Sequence, residues 1–279
     1  MASAARAGTV ALGGFTVNRM GYGAMRITGP GIWGDPPDPE ASKGVLRRVL
    51  ELGVNFIDTA AAYAASERLI GEALAPYPEG VAVATKAGLY RTGPDRWPID
   101  SSPQAIRRQT EQSLRDLRVE RLDLQQLHRP DPNVPIEESV GALKELQDEG
   151  KVLHIGVSNI TVDQLRRAQS VAPIVSVQNE YNLADRSSED VLEVCAAEGL
   201  AFLPWYPLSA GRLARPGGPL DEVARKHGAT PGQVALAWLL QRSPVVLVIP
   251  GTNSVEHLEE NVAAAGLRLD EDDLVSLSA

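Results

Sequence analysis

The chain has 279 residues, enough to bury a large core, and its 43% hydrophobic and 23% charged residues are ordinary for a globular protein. A formal net charge of −9 argues against nucleic acid or an anionic membrane as a partner, because both repel an acidic surface. No run approaches the ~20 apolar residues that span a bilayer, and the N-terminal MASAARAG lacks the apolar core of a signal peptide, so we expect a soluble, cytoplasmic protein.

Short apolar segments alternate with helical patterns along the chain. The first segment, TVALGGFTV, alternates with period two around Gly13 and Gly14, which predicts an N-terminal β-hairpin. Eight predicted strands follow, each with a helical pattern after it; in order they are RMGYGAM, VNFID, VAVATK, RLDLQQLH, VLHIGVSN, PIVSVQNEY, LAFLPWYPL and VVLVIPG. Strands that alternate with helices indicate parallel βαβ units.

Eight such units predict an α/β protein with a closed (β/α)8 TIM barrel, whose bottom the hairpin caps. Helix start signals support the pattern, at Ser102-Pro103, at Thr161 with Gln164, and at Thr230-Pro231. No linker interrupts the sequence, so residues 1–279 are expected to form a single domain. The one cysteine, Cys195, falls on the apolar face of a predicted helix and is interpreted as a core residue rather than a catalytic thiol.

Active sites of such barrels lie at the C-terminal ends of the strands. Polar or aromatic residues end most of the apolar runs and are expected to converge at one mouth. They are Asp58, Lys86, His128, Ser158, Asn159, Gln178, Asn179, Trp205 and Tyr206.

Asp58, Tyr63, Lys86 and His128 form the candidate catalytic set. A free phenol has a pKa of about 10 and donates protons poorly at neutral pH, but a cation nearby lowers that pKa. Lys86 is placed to be this cation, and Asp58, one strand away, can keep a buried lysine charged. His128 can donate a hydrogen bond that orients a carbonyl oxygen, so the set predicts proton donation to a carbonyl.

Each residue has a simpler explanation when taken alone. Asp58 is then a helix N-cap, Lys86 a solvated charge and His128 a loop residue. Trp205 is then a core aromatic. The common position at strand ends favours catalysis over these separate explanations.

The motifs DTAAAY, TKAG, LHRPD, IGVSN and VQNEYN, in this order, resemble the aldo-keto reductase family, as does the tail ATPGQVALAWLLQRSPVVLVIPGTNSVEHLEEN. Within the family, VNRMGYGAM and GPGIWGDPP most resemble the bacterial branch that reduces pyridoxal. The resemblance implies NADPH, with NADH less favoured, bound across the barrel mouth, and reduction of a small aldehyde or ketone.

By motif match, the resemblance also implies the residues that hold the cofactor. Ser158, Asn159 and Gln178 match residues that bind the nicotinamide carboxamide, and Trp205 matches the aromatic residue that stacks on its ring. The remaining matched positions are Leu208, Gly211 and Leu213 at the pyrophosphate; Gly251, Thr252, Asn253, Ser254 and His257 at the 2′-phosphate; and Glu260 and Asn261 at the adenine. Two positions depart from the family pattern: His257 stands where many relatives have Arg, and Ala64 where Gly is usual.

Substrate contacts are assigned to three aromatic residues in loops above the barrel, namely Trp33, Tyr90 and Trp97. Arg91, Arg96 and Arg129 are also candidates for an acidic group of the substrate, and the sequence does not choose among them. No metal site is predicted, and a monomer is favoured.

Two alternative functions remain open at this point. One is a nicotinamide-binding regulatory subunit with little turnover, resembling the potassium-channel β subunits. The other is a Schiff-base aldolase that uses Lys86 as its nucleophile.

Overall fold

The computed structural model describes residues 2–214 and 220–278. Its N-terminal hairpin pairs β1 (Thr9–Leu12) with β2 (Phe15–Asn18) in antiparallel fashion, with Val10 opposite Val17. Gly13 in the turn has a φ of 58°, a conformation that glycine adopts at little cost. The predicted hairpin is confirmed.

Seven parallel strands form the main sheet and lie beside one another in chain order. They are β3 (Tyr22–Gly23), β4 (Phe56–Asp58), β5 (Ala82–Ala87), β6 (Leu122–Leu127), β7 (Val152–Ser158), β8 (Ile174–Gln178) and β9 (Ala201–Phe202). Consecutive parallel order with a helix in most connections confirms the predicted α/β architecture.

The eighth predicted strand is an extended segment that closes the barrel through isolated bridges. Leu247 N donates to Phe202 O at 2.9 Å on one side, and Val248 N donates to Arg19 O at 3.0 Å on the other. Single bridges join Phe202 to Val246 and Met20 to Val248. The segment is short because Pro244 and Pro250 flank it and neither can donate a backbone hydrogen bond.

Ten α-helices are described, including nine that match predicted helical patterns: α1 (Pro39–Glu51), α2 (Ser66–Leu74), α3 (Pro103–Leu117), α4 (Ile136–Asp148), α5 (Val162–Gln169), α6 (Glu189–Glu198), α7 (Asp221–His227), α8 (Pro231–Arg242), α9 (Val255–Ala263) and α10 (Glu271–Ser278). Helix α10 was not predicted. The capping boxes of Thr161 with Gln164 and of Thr230 with Gln233 are both formed, and Ser102 caps α3. No described helix has the length and apolar character that a membrane crossing requires.

The barrel interior is apolar at the bottom and polar at the top. Hairpin residues such as Leu12 and Val17 join a core with Phe56, Ala84 and other inward-facing side chains of the strands. Cys195 belongs to the larger core between barrel and helices, as expected. At the C-terminal strand ends the inward positions become polar, and they are Asp58, Lys86, Gln126, Ser158 and Gln178.

Candidate active site

The four candidate catalytic residues converge at the C-terminal end of the barrel. Asp58 ends β4, Lys86 is the next-to-last residue of β5, and His128 directly follows β6. Tyr63 lies in the loop between β4 and α2. All four are buried, with 1% to 8% of their surface exposed.

Lys86 and Asp58 form a buried ion pair. Lys86 Nζ lies 2.6 Å from Asp58 Oδ2 and donates a second hydrogen bond to Thr59 O at 2.8 Å. The other carboxylate oxygen, Oδ1, accepts from Gln178 Nε2 at 2.9 Å and from Gln126 Nε2 at 3.3 Å. A buried charge pair persists when its remaining lone pairs find such donors.

This environment keeps Lys86 protonated. Burial alone lowers the pKa of the ammonium, but Asp58 and Tyr63 more than reverse this effect, so the net pKa is raised. Lys86 therefore supplies a fixed positive charge at the site.

The loop that carries Tyr63 is fastened to the barrel by short-range hydrogen bonds. Thr59 N donates to Ala84 O at 2.8 Å, and the Thr59 and Ser66 hydroxyls lie 2.8 Å apart. Ser66 N bonds Tyr63 O at 2.8 Å. Ala64, at the position where the resemblance favours glycine, has a φ of 40°, a conformation that costs an alanine roughly 1–2 kcal/mol.

Tyr63 lies beside the Lys86 ammonium, whose Nζ is 5.2 Å from the centre of the phenol ring. Burial raises the pKa of Tyr63, Lys86 opposes this rise, and Asp58 adds to it, so the net pKa is raised. The predicted net lowering is therefore wrong, because desolvation of the phenolate outweighs the attraction of Lys86. The phenol stays protonated at neutral pH and is available as a donor.

His128 packs edge-on against Tyr63, with ring centroids 5.8 Å apart. Burial, followed by the charges of Lys86 and Arg129, lowers the pKa of His128 well below its usual value. The imidazole is therefore neutral near pH 7. Its buried Nδ1 has no hydrogen-bond partner among the described residues.

A cavity of about 860 Å³ opens above these residues. Its lining includes Asp58, Tyr63 and His128, and also seven of the residues matched to the cofactor: Ser158, Asn159, Gln178, Trp205, Leu208, Gly211 and Gly251. The structure thus brings together groups from distant parts of the chain at one mouth.

Hydrogen bonds hold the side chain of Asn159, which lines the cavity, in one orientation. Its Nδ2 donates to His128 O at 3.0 Å and to Ser158 Oγ at 2.8 Å, and its Oδ1 accepts from Trp205 Nε1 at 3.1 Å. Gln178 uses its amide nitrogen for Asp58, which leaves its oxygen for a ligand. These contacts fix the Trp205 indole relative to the candidate catalytic residues.

The other seven matched cofactor positions lie outside this lining, six of them in α9 or just before it. Ser254 caps the helix by accepting from His257 N at 3.3 Å, and His257 and Asn253 are exposed there. Glu260 Oε1 accepts from Thr230 Oγ1 at 2.6 Å, which places it between α8 and α9. Leu213, Thr252 and Asn261 are likewise not in the lining, although Thr252 O accepts from the buried Tyr22 hydroxyl at 2.6 Å.

These residues fit a nicotinamide dinucleotide. A carboxamide needs both a donor and an acceptor, and the hydroxyl of Ser158 and the free oxygen of Gln178 complement it. The unpartnered His128 Nδ1 shows that the site contains a polar group without a protein partner. The cavity lies within the usual volume range of ligand sites, about 300–1,000 Å³.

The structure places one of the three predicted substrate aromatics in the cavity. Trp97 lines it and meets Tyr63 edge-on, with ring centroids 6.3 Å apart. Tyr90 is 41% exposed and lies outside the lining, because Leu89 turns inward and the next side chain of an extended segment points the other way. Trp33, 42% exposed, also lies outside the lining and contacts Arg91, whose Cζ is 5.7 Å from the centre of the Trp33 ring.

Sequence reasoning missed the apolar wall of the cavity, which consists of Met25, Ile32, Leu89 and Ile99 beside Tyr63 and Trp97. It also missed Gln126, the second amide on Asp58. The alternation of β6 was a usable signal for Gln126, because this residue shares the inward face with Leu124.

A buried carboxyl group lies behind the site. Glu67, on α2, is 4% exposed and accepts a hydrogen bond from Thr85, the residue before Lys86. Burial raises the pKa of Glu67 to about 7 from an ordinary 4.5. The native state therefore holds this proton more tightly than the unfolded chain does, and stability falls as the pH rises from about 4.5 through 7.

Glu67→Gln should remove this dependence. We compare the free energy of unfolding of the variant with that of the wild type at each pH. The difference should favour the variant by about 1–3 kcal/mol more at pH 8 than at pH 5, because at pH 8 only the wild type buries a charge. Urea denaturation of both proteins at the two pH values measures this. The exposed Glu193→Gln is the control and should give equal differences at both; equal differences for Glu67→Gln would show that Glu67 does not titrate in this range.

The barrel carries a buried Lys–Asp pair, a protonated tyrosine and a neutral histidine at its mouth, and the comparisons with known proteins identify the chain as an oxidoreductase that acts on carbonyl groups. The chain belongs to the aldo/keto reductase family, whose profile matches residues 19–279. It is 50% identical over 268 residues to an uncharacterized oxidoreductase of Schizosaccharomyces pombe, and these residues cover 95% of this chain and 87% of the relative.

Two further comparisons agree. The chain is 44% identical over 278 residues to pyridoxine 4-dehydrogenase of Escherichia coli, over 96% of each chain. A crystal structure of an aldo/keto reductase from Klebsiella pneumoniae in complex with NADP and acetate superimposes with a TM-score of 0.83 at 30% identity, over 96% of this chain and 93% of the other. The relatives include a fungal and a bacterial protein, so the resemblance is not confined to bacteria.

Proposed function

We propose that the protein reduces an aldehyde or ketone with NADPH and that Tyr63 is the proton donor. The observation that carries this proposal is the buried Lys86–Asp58 pair directly behind Tyr63, in a cavity shared with His128. When bound, the reduced nicotinamide supplies the hydride to the carbonyl carbon. Tyr63 gives its proton to the carbonyl oxygen, and the charge of Lys86 stabilises the phenolate that remains.

His128 orients the substrate in this proposal. A neutral imidazole can donate one hydrogen bond to the carbonyl oxygen without adding a charge to the buried site. Asp58 contacts Lys86 rather than the reacting atoms, so it acts by holding Lys86 charged. The ion pair also disfavours the Schiff-base alternative, which needs an unprotonated lysine.

NADPH is the proposed cofactor, with Ser158, Asn159, Gln178 and Trp205 at the nicotinamide. The start of α9, with exposed Asn253 and His257, is the proposed phosphate site, because free backbone N–H groups and the helix dipole favour an anion. The NADP complex of the Klebsiella pneumoniae relative supports this choice. His257 lacks the planar guanidinium with which arginine forms two parallel hydrogen bonds to a phosphate, so the preference over NADH is expected to be moderate.

Among aldehydes without a carboxylate or a phosphate, pyridoxal is the proposed substrate. Support comes from the identity with the Escherichia coli pyridoxine 4-dehydrogenase along nearly the whole chain. The aromatic and aliphatic wall at Trp97, Leu89 and Ile99 suits a flat ring beside Tyr63.

Fluorescence titration with NADPH and NADH, followed by turnover of an aldehyde panel that includes pyridoxal, tests the proposal. We expect binding of NADPH and its oxidation with at least one aldehyde. Tight NADPH binding without turnover on the whole panel would instead favour the regulatory-subunit alternative. Failure to bind either nucleotide would refute both.

A further inference from the structure

Three arginines that the sequence left unassigned lie near the cavity, and two of them are poorly placed to bind a substrate. Arg91 is used by the protein: its nitrogens donate to Ile32 O and Gly31 O at 2.8 Å, and its guanidinium lies 3.7 Å from the centre of the Trp97 ring. Arg96 is exposed and is not in the lining of the cavity. Arg91 therefore supports the aromatic wall, and Arg96 remains at the surface.

Arg129 differs from both. It follows His128 directly, lines the cavity, and is exposed to solvent. Its backbone is held in place because Ser101 Oγ donates to Arg129 O at 2.6 Å. Its guanidinium has one described contact, with the face of Trp205, at 5.9 Å from the ring centre.

Arg129 also lacks a counter-ion in the described parts of the chain. Within residues 2–214 and 220–278, no carboxylate oxygen lies within 4.0 Å of its nitrogens. Asp95 lines the same cavity, and the Arg129 charge opposes the rise in the pKa of the Glu180 carboxyl, but neither residue forms an ion pair with Arg129. Its charge also acts on Tyr63 and His128, because it opposes the rise in the pKa of Tyr63 and adds to the fall in the pKa of His128. An unpaired guanidinium thus lies close to the proposed reacting atoms.

We propose that Arg129 determines substrate specificity by binding an anionic group, a carboxylate or a phosphate, on the aldehyde that the cavity accepts. A guanidinium binds either group with two parallel hydrogen bonds, which fixes the orientation of the substrate as well as holding it. The net charge of −9 makes this local cation more selective, because the rest of the surface repels anions. The inference rests on the proposed carbonyl reduction and adds the class of substrate to it.

The test compares matched aldehydes that differ in charge. 4-Carboxybenzaldehyde is compared with its neutral methyl ester, and pyridoxal 5′-phosphate with pyridoxal, so the two pairs distinguish a carboxylate from a phosphate. For the preferred pair, Arg129→Gln should lower the ratio of kcat/KM for the anionic over the neutral aldehyde by about 10- to 100-fold, chiefly through KM, as expected for loss of a charged hydrogen bond. Arg129→Lys should retain part of the ratio, because lysine keeps the charge without the planar fork.

Arg96→Gln is the control for net charge and should keep the ratio within about twofold, because Arg96 lies outside the lining. Arg26→Gln is the competing variant, since Arg26 lines the cavity and forms no described ion pair. Calorimetry supplies a measurement apart from turnover. The alcohol 4-(hydroxymethyl)benzoate should bind to the NADPH-loaded wild type, and its Kd for NADPH-loaded Arg129→Gln should be about 10- to 100-fold higher.

Three results would overturn the inference: an equal loss for charged and neutral aldehydes, a loss that follows Arg26→Gln instead, or a matching rise in the NADPH Kd of Arg129→Gln. Each of them leaves the reduction of neutral aldehydes by the wild type intact. Absence of turnover in the wild type would contradict the proposed function instead, and the calorimetric comparison would still decide the role of Arg129.

Discussion

Tyr63→Phe is expected to lower kcat for aldehyde reduction by about 10²- to 10⁴-fold while NADPH still binds. The substitution removes only the hydroxyl, and the ring can keep its contacts with His128 and Trp97. Without the phenol, the carbonyl oxygen loses its proposed proton donor, and the Lys86 charge has no phenolate to stabilise. Steady-state kinetics with the best aldehyde and NADPH fluorescence titration measure the two effects separately.

The matched control is Tyr90→Phe. Tyr90 lies on the next βα loop, outside the cavity and 41% exposed, so loss of its hydroxyl should change kcat by less than about twofold. Full activity of Tyr63→Phe would mean that another group donates the proton. A parallel loss in both variants would indicate a general effect on folding.

Asp58→Asn is expected to destabilise the protein by about 3–5 kcal/mol, because it leaves the Lys86 charge buried without its partner. It also replaces one carboxylate oxygen by an NH2 group, which is itself a donor and cannot accept the hydrogen bonds that Gln126 and Gln178 donate to Asp58. Lys86→Met should cost a similar amount, by leaving the carboxylate uncompensated. Urea denaturation of each variant gives the free energies.

The double variant Asp58→Asn/Lys86→Met should be more stable than the sum of the single losses predicts, because neither charge then remains alone. An exposed pair in α4, Lys144 with Asp148, is the control, and Asp148→Asn should cost less than about 1 kcal/mol. A loss below about 1 kcal/mol for Asp58→Asn would show that Lys86 adopts its neutral form easily.

Local patterns were sufficient to predict most of the fold. The period-two segment around Gly13 formed the hairpin, and helices begin after Thr161 and Thr230 as expected. Helix α10 was not predicted, although the sequence has an aspartate pair three residues apart at its start, Asp270 and Asp273. In the structure Asp270 Oδ1 accepts from Asp273 N at 3.0 Å, and Asp273 Oδ2 accepts from Asp270 N at 3.0 Å. The short acidic start did not resemble the usual Ser or Thr box.

The candidate catalytic residues were predictable because strand ends in a parallel barrel share one edge. The contacts among them were less so. Nothing local indicates that Gln178, expected at the carboxamide, gives its N–H to Asp58, since 120 residues separate the two. The proposal that Arg129 rather than Arg91 binds the substrate likewise depends on the fold, because the Arg91 guanidinium already contacts Ile32 O and the Trp97 ring.

The sequence by itself determined the order of the strands and of nine helices, three helix starts and the polar residues at the barrel mouth, because these follow from spacing and from hydrogen bonds within a few residues. The tertiary structure decided the raised pKa of Tyr63, the burial of Glu67 and the outward positions of Trp33 and Tyr90. Desolvation and packing are sums over neighbours that the fold brings from distant segments. Only the assembled barrel sets their size and sign.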